Sequence, residues 1–117
     1  MRVARVYAGR TYEDGIRVLV DRLWPRGMTK TRADLDDWCR EVAPTTELRK
    51  WYAHDPELFA EFSRRYRKEL AAGPQAEALA RLRDLAAAGG NVTLLTAAKD
   101  PDISEAAVLA QLLSSRT

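Results

Sequence analysis

Apolar and polar positions along this chain follow two rhythms, and the change from one to the other marks its elements. Residues 3–8 and 16–21 are short apolar runs bounded by turn residues, the mark of strands, and Glu13-Asp14-Gly15 is turn chemistry leading into the second. The link over 9–15 is shorter than a helical crossover. These two strands therefore read as an antiparallel hairpin or as a parallel pair joined by a tight irregular link.

After residue 30 a helical rhythm takes over. Leu35, Trp38, Cys39 and Val42 fall at i, i+3, i+4 and i+7, which predicts an amphipathic helix with Asp36, Asp37, Arg40 and Glu41 outside. Ala43-Pro44 ends it, and Thr45 or Thr46 caps a short helix through Trp51. Asp55-Pro56-Glu57 is a favourable helix start, predicting a helix over 56–72 with the stripe Phe59, Phe62, Tyr66 and Leu70, stopped by Gly73-Pro74. The next helix, 75–88, buries Leu79, Leu82 and Leu85 or Ala86 and ends at Gly89-Gly90. Residues 92–96 are mostly apolar and read as a central strand covered on both faces. A last helix takes Asp102 as N-cap with Glu105 three residues on, close to a capping box, and turns Leu109, Leu112 and Leu113 inward.

Strands followed by helices predict an α/β fold: a small three-layer-like domain over 1–117 with a short, mostly parallel central sheet flanked by helices. The composition agrees, with 46% apolar and 31% charged residues, enough to build a core. A net charge of +2 from 19 basic and 17 acidic residues gives no general pull toward nucleic acid or membrane, so any cationic site is local. One cysteine, Cys39, on the apolar face, reads as an inert core thiol. Without a signal-like start or an apolar run of about 20 residues, the expected place is the cytoplasm and not a membrane.

The segment DGIRVLVDRLWPRGMTK, residues 14–30, carries the chemistry. A buried-strand pattern passes at once into charge, an indole and a Pro-Arg-Gly turn. Ligands in α/β sheets gather at the carboxyl ends of strands, which here means one loop with Asp21, Arg22, Trp24, Arg26 and Lys30 and another with Thr96, Lys99 and Asp100. Parallel neighbouring strands bring these groups into one cationic pocket; antiparallel strands separate them. Arg22 and Arg26 can clamp a phosphate or carboxylate with paired donors, or pair with Asp21, Asp34 or Asp37 to tie the loop down. Trp24 is a stacking surface or a hydrophobic plug. His54, the only histidine, and Asp21 are the candidates for proton transfer, with packing or capping as the plain role for His54. The basic cluster Arg64, Arg65, Arg67 and Lys68 is a nucleic-acid contact or a solvated helix face. No His/Cys cluster has the spacing of a zinc site, and no cofactor is implied.

Four separated blocks, DGIRVLVDRLWPRGMTK, LDDWCREVAPTTELRKWYAHDP, FSRRYRKEL and LLTAAKD, closely resemble the YeaO-like family of small bacterial proteins, a domain of unknown function. The resemblance spans nearly the whole chain. It implies a compact α/β fold with parallel strands in which the VDRLWPRG loop and the loop after LLTAAKD share a site. The residues matching that pattern are Asp21, Arg22, Trp24, Pro25, Arg26, Gly27 and Lys30, then Trp38, Ala43, Pro44, Leu48, Arg49, His54 and Asp55, and Lys99. Family members often carry a His-Asn or Asn-His pair just after the acidic turn, where this chain has Ile103 and Ser104. The combined expectation is a phosphorylated or nucleotide-like small molecule bound or acted on in an Arg-rich strand-end pocket. The alternatives are a non-catalytic nucleic-acid-binding or regulatory module and a protein-interaction domain.

Overall fold

In the computed structural model, which describes residues 1–114, four strands run parallel in the order β1-β4-β2-β3. They are β1 (Arg2–Arg5), β2 (Ile16–Leu19), β3 (Asp37–Trp38) and β4 (Val92–Thr96). Every residue of β4 is buried, as its continuous apolar run predicts for a strand paired on both edges and covered on both faces. The parallel reading of the first two strands holds, but they do not pair with each other, because β4 lies between them. Five α-helices are seen among the described residues: α1 (Lys30–Ala33), α2 (Thr46–Tyr52), α3 (Phe59–Glu69), α4 (Gly73–Ala87) and α5 (Glu105–Ser114).

Alternation along the strands divides the core between two faces. Val18, Val20, Val92 and Leu94 point into the larger half, with Phe62 and Tyr66 of α3, Ala78 and Leu82 of α4, and Val108 and Leu109 of α5. Leu19 and Leu95 point the other way, to Val6, Met28 and Ala33, where only α1 and the loops around it give cover. The sheet is thus layered unequally, with four helices contributing to one side and one short helix to the other.

The expected helix through Leu35, Trp38, Cys39 and Val42 is not there. Asp37 and Trp38 pair with Val18 and Leu19 as an edge strand, and Arg40–Val42 is a 3-10 turn. The four apolar residues do not share a face: Leu35 and Trp38 belong to the smaller core, Cys39 and Val42 to the larger. A short strand followed by a tight turn distributes side chains with the same spacing as two helical turns, and sheet pairing, through Cys39 N–H to Leu19 O at 2.8 Å, decided between them. Cys39 is buried, and that burial pushes its thiol up, as expected of a core residue.

Other boundaries differ less. Residues 56–58 form a 3-10 turn capped by Asp55 before α3 begins. Gly73 and Pro74, read as a stop, are instead the first residues of α4, where proline's missing N–H costs nothing. The last helix starts at Glu105; the capping carboxylate is Asp100, which accepts from Asp102 N–H at 3.1 Å, so Asp102 is not the N-cap.

At the amino end of the sheet lies a buried arginine. Arg17 of β2 is 1% exposed and donates to Asp14 at 2.6 Å and to the carbonyls of Ala33 and Asp34 at 2.9 and 3.0 Å. Asp14 also accepts from Thr11 and from the half-exposed Arg2. Burial raises the Asp14 carboxyl, but the hydrogen bonds of Arg17 and Thr11 outweigh it and hold it below its usual range. Gly15 then turns the chain at φ +63°, so close to β4 that a Cβ would stand 2.1 Å from the Asn91 carbonyl oxygen.

Removing the buried partner leaves a carboxylate without its main counter-charge. Arg17→Ala should therefore destabilise the protein by about 3–5 kcal/mol, whereas Arg2→Ala, which breaks an exposed pair, should cost under about 1 kcal/mol. Urea unfolding of both variants checks this, and equal losses would contradict it.

Candidate functional site

At the opposite end of the sheet, Asp21 joins the ends of β2 and β4. Its Oδ1 accepts from Thr96 Oγ1 and its Oδ2 from the Ala97 backbone N–H, both at 2.8 Å. The loop that follows is fixed by its own residues. Gly27 supplies the left-handed backbone, φ +73°, that the Pro25–Met28 turn requires. Trp24 Nε1 donates to Met28 O and Trp38 Nε1 to Asp21 O, each at 2.7 Å, and the two indoles meet edge to face at 5.4 Å. Trp24 thus serves partly as the plug its neighbourhood with proline suggested. It also lines a cleft.

That cleft has a volume of about 300 Å³ and opens at the carboxyl ends of β2 and β4, between the loop after β2 and the start of α5. Apolar groups form much of its wall, with Phe62, Tyr52, Ala43 and Pro44 among them. Three arginines surround it. Arg22, half-buried, donates to the carbonyls of Ala43 at 3.0 Å and Pro44 at 3.4 Å, while Arg26 and Arg49 are exposed. Among the described residues none of the three forms an ion pair with Asp21, Asp34 or Asp37, the expected partners; Asp34 is taken by Arg10 at 2.6 Å. Arg22 is therefore tied to backbone oxygens and not to an acid.

Glu105, the first residue of α5, enters the same cleft and meets Asp21. Two carboxyls in contact cannot both ionise cheaply. Burial, then the hydrogen bond and charge of Asp21, push the Glu105 carboxyl well above its ordinary value, beside an Asp21 whose oxygens accept from Thr96 and Ala97. Beside them Tyr52 donates to Ile103 O at 2.6 Å and is pushed up to about 12 by burial and then by the charges of Asp100, Asp55 and Glu105.

The family comparison covers this arrangement whole. The family model DUF488-N3i, described as the inactive DUF488-N3 subclade, matches residues 1–117. The chain belongs to this family. It is 50% identical over 116 residues to the uncharacterised protein Rv3073c of Mycobacterium tuberculosis, covering 99% of this chain and 95% of that one. It is 44% identical over 111 residues to the uncharacterised protein YeaO of Escherichia coli, covering 95% and 94%. The expected YeaO-like membership is therefore correct. No solved structure matches the chain.

Within this DUF488-N3i chain, Asp21, Arg22, Trp24, Arg26 and His54 all line the cleft. Lys30 begins α1, Lys99 is exposed, and Asp100 caps the 3-10 turn at Pro101–Ile103; none of the three lines it. His54 is exposed and left-handed at φ +57°, directly after the left-handed Ala53, and its ring lies 6.1 Å from that of Tyr52 with no hydrogen bond to orient it among the described residues. Ser104, which stands where the resemblance led one to expect a His or Asn, is buried and donates to Pro101 O at 2.7 Å. Arg49 had been noted only as part of the family pattern and Glu105 only as a cap, yet both face the cleft.

The raised Glu105 carboxyl links proton binding to folding. The folded protein keeps this proton where the unfolded chain, with its ordinary carboxyl near 4.5, releases it, so the contribution is complete below about pH 4.5 and is lost as pH rises toward the folded-state value. Glu105→Gln cannot lose a proton there. Thermal unfolding from pH 4 to 8 should show wild type losing stability relative to Glu105→Gln as pH rises, and parallel curves would contradict the pairing.

Proposed function

We propose that this protein binds a phosphorylated or nucleotide-like small molecule in the cleft at the ends of β2 and β4, and that it binds without turnover. The observation that carries this reading is the group of three arginines, free of carboxylate partners among the described residues, around a cleft with an apolar wall. Guanidinium groups held beside an apolar surface suit a ligand with an anionic group and a compact body. Two features favour binding over catalysis: the family is described as an inactive subclade, and among the described residues no hydrogen bond orients the ring of His54. Arg22 orders the Ala43-Pro44 ledge while leaving part of its guanidinium for the ligand; Arg26 and Arg49 supply the movable charge.

The nucleic-acid alternative has less behind it. Arg64 and Arg65 are engaged with Glu61 at 2.6 and 2.8 Å, Arg65 lies 4.1 Å from the Trp51 ring centre, and Arg67 donates to Gln111 at 3.2 Å. That helix face is largely compensated. Among the described residues no helix is long and apolar enough to cross a membrane.

Thermal shift with inorganic phosphate, AMP and a short single-stranded oligonucleotide separates the readings. Saturation at about 100 times Kd stabilises by about 2.7 kcal/mol, so phosphate or AMP should raise the melting temperature measurably. Arg26→Ala and Arg49→Ala, both exposed positions, should keep the fold and lose the shift. Absence of a shift with either anion, or shifts unchanged in both variants, would sink the reading.

A further inference from the structure

The neutral hydrogen-bonding groups around the cleft are largely spent within the protein. Tyr7 O–H donates to Arg26 O at 3.0 Å, Trp24 Nε1–H to Met28 O at 2.7 Å and Tyr52 O–H to Ile103 O at 2.6 Å. Thr96 and Ser104 give their protons to Asp21 and to Pro101 O. The carbonyls of Ala43 and Pro44 accept from Arg22, and Ala43 O also accepts from Gln75 Nε2 at 2.9 Å. Apart from the exposed His54 and the contact of Asp21 with Glu105, what the lining keeps for a ligand is guanidinium charge and carbon.

The carbon has a particular form. Tyr7 and Trp24 are half-buried residues of the lining whose polar hydrogens are committed to backbone carbonyls, so the surface their side chains can give to a ligand is mainly ring. Both rings are also fixed in place. Trp24 is held by its N–H and by its edge-to-face contact with Trp38, and Tyr7 by its hydroxyl and by Arg5, which lies 4.9 Å from the ring centre. Leu23, 63% exposed, adds an apolar side chain beside them. A sugar hydroxyl entering here gives up water for groups whose hydrogen bonds are already made, whereas an aromatic ring meets surfaces with little rotamer freedom left to lose.

We propose that the cleft takes an aromatic phosphate ester, with the arginines on the phosphate and the ring against Trp24 and Tyr7, in preference to a sugar phosphate or an aliphatic one. This rests on the anion-binding reading of the same cleft and adds the identity of the ligand's neutral part. Guanidinium groups stack on aromatic faces as well as donating to phosphate, so the exposed Arg26 and Arg49 suit both ends of such a molecule.

Isothermal titration of wild type with phenyl phosphate, cyclohexyl phosphate and ribose 5-phosphate tests this at pH 8, where all three are dianions, and at one salt concentration. The probes share the phosphate monoester and attach it to a flat ring, a saturated ring and a hydroxylated sugar. Phenyl phosphate should bind roughly tenfold tighter than ribose 5-phosphate and roughly threefold tighter than cyclohexyl phosphate, the second step being the scale of one aromatic pair. Trp24→Leu should shrink the preference for phenyl over cyclohexyl phosphate while both still bind, and Trp24→Phe should retain more of it. Phenyl phosphate binding no tighter than either competitor in wild type, or a preference unchanged in Trp24→Leu, overturns the proposal while leaving the anion site standing. Failure of all three probes to bind overturns the anion site as well. The wild-type comparison needs no variant to fold.

Discussion

The ion pair between Arg17 and Asp14 is the constraint on which the rest of this structure depends. Arg17 stands in a strand whose neighbours are apolar, and a guanidinium there is tolerable only because Asp14 and two helix-end carbonyls take up its donors. In satisfying it, the chain brings the turn before β2 and the end of α1 to one place. The thinner side of the sheet has little apolar cover, so this polar anchor does there what helices do on the other side. With the amino end held in this way, the carboxyl end is free to carry loops chosen for chemistry.

At that end the same economy of contacts appears. Asp21 uses both oxygens to hold the ends of two strands together and stands against Glu105. Asp34, one of the acids expected to tie Arg22 and Arg26 down, is held by Arg10 instead.

Much of the frame was legible in the chain. The run at 92–96 announced a strand covered on both faces, and the abrupt passage from Val20 to Asp21 announced a strand end with polar work to do. The helix expected over Leu35 to Val42 failed because apolar spacing cannot distinguish two helical turns from an edge strand and a 3-10 turn that serve opposite faces. Glu105 was missed for a related reason. An acid at a helix start is so ordinary that only its contact with a residue 84 positions earlier, by subtraction of 21 from 105, distinguishes it from a cap. Lys99 and Asp100 had the right address, but the turn at Pro101–Ile103 uses Asp100 for itself and leaves both outside the lining.

The strand order carries a consequence for how the chain is made. β1 and the β2–β3 pair leave the ribosome early, yet β1 has no sheet partner and β2 keeps one open edge until β4, near the far end of the sequence, is available to lie between them. A nascent chain stopped before Val92 holds β1 alone and the β2–β3 pair with nothing to join them, with open edges of the kind that seek pairing elsewhere. Completion of the sheet is therefore a late event in synthesis, and a truncation that removes only the last quarter of the protein takes away the centre of its fold rather than its margin.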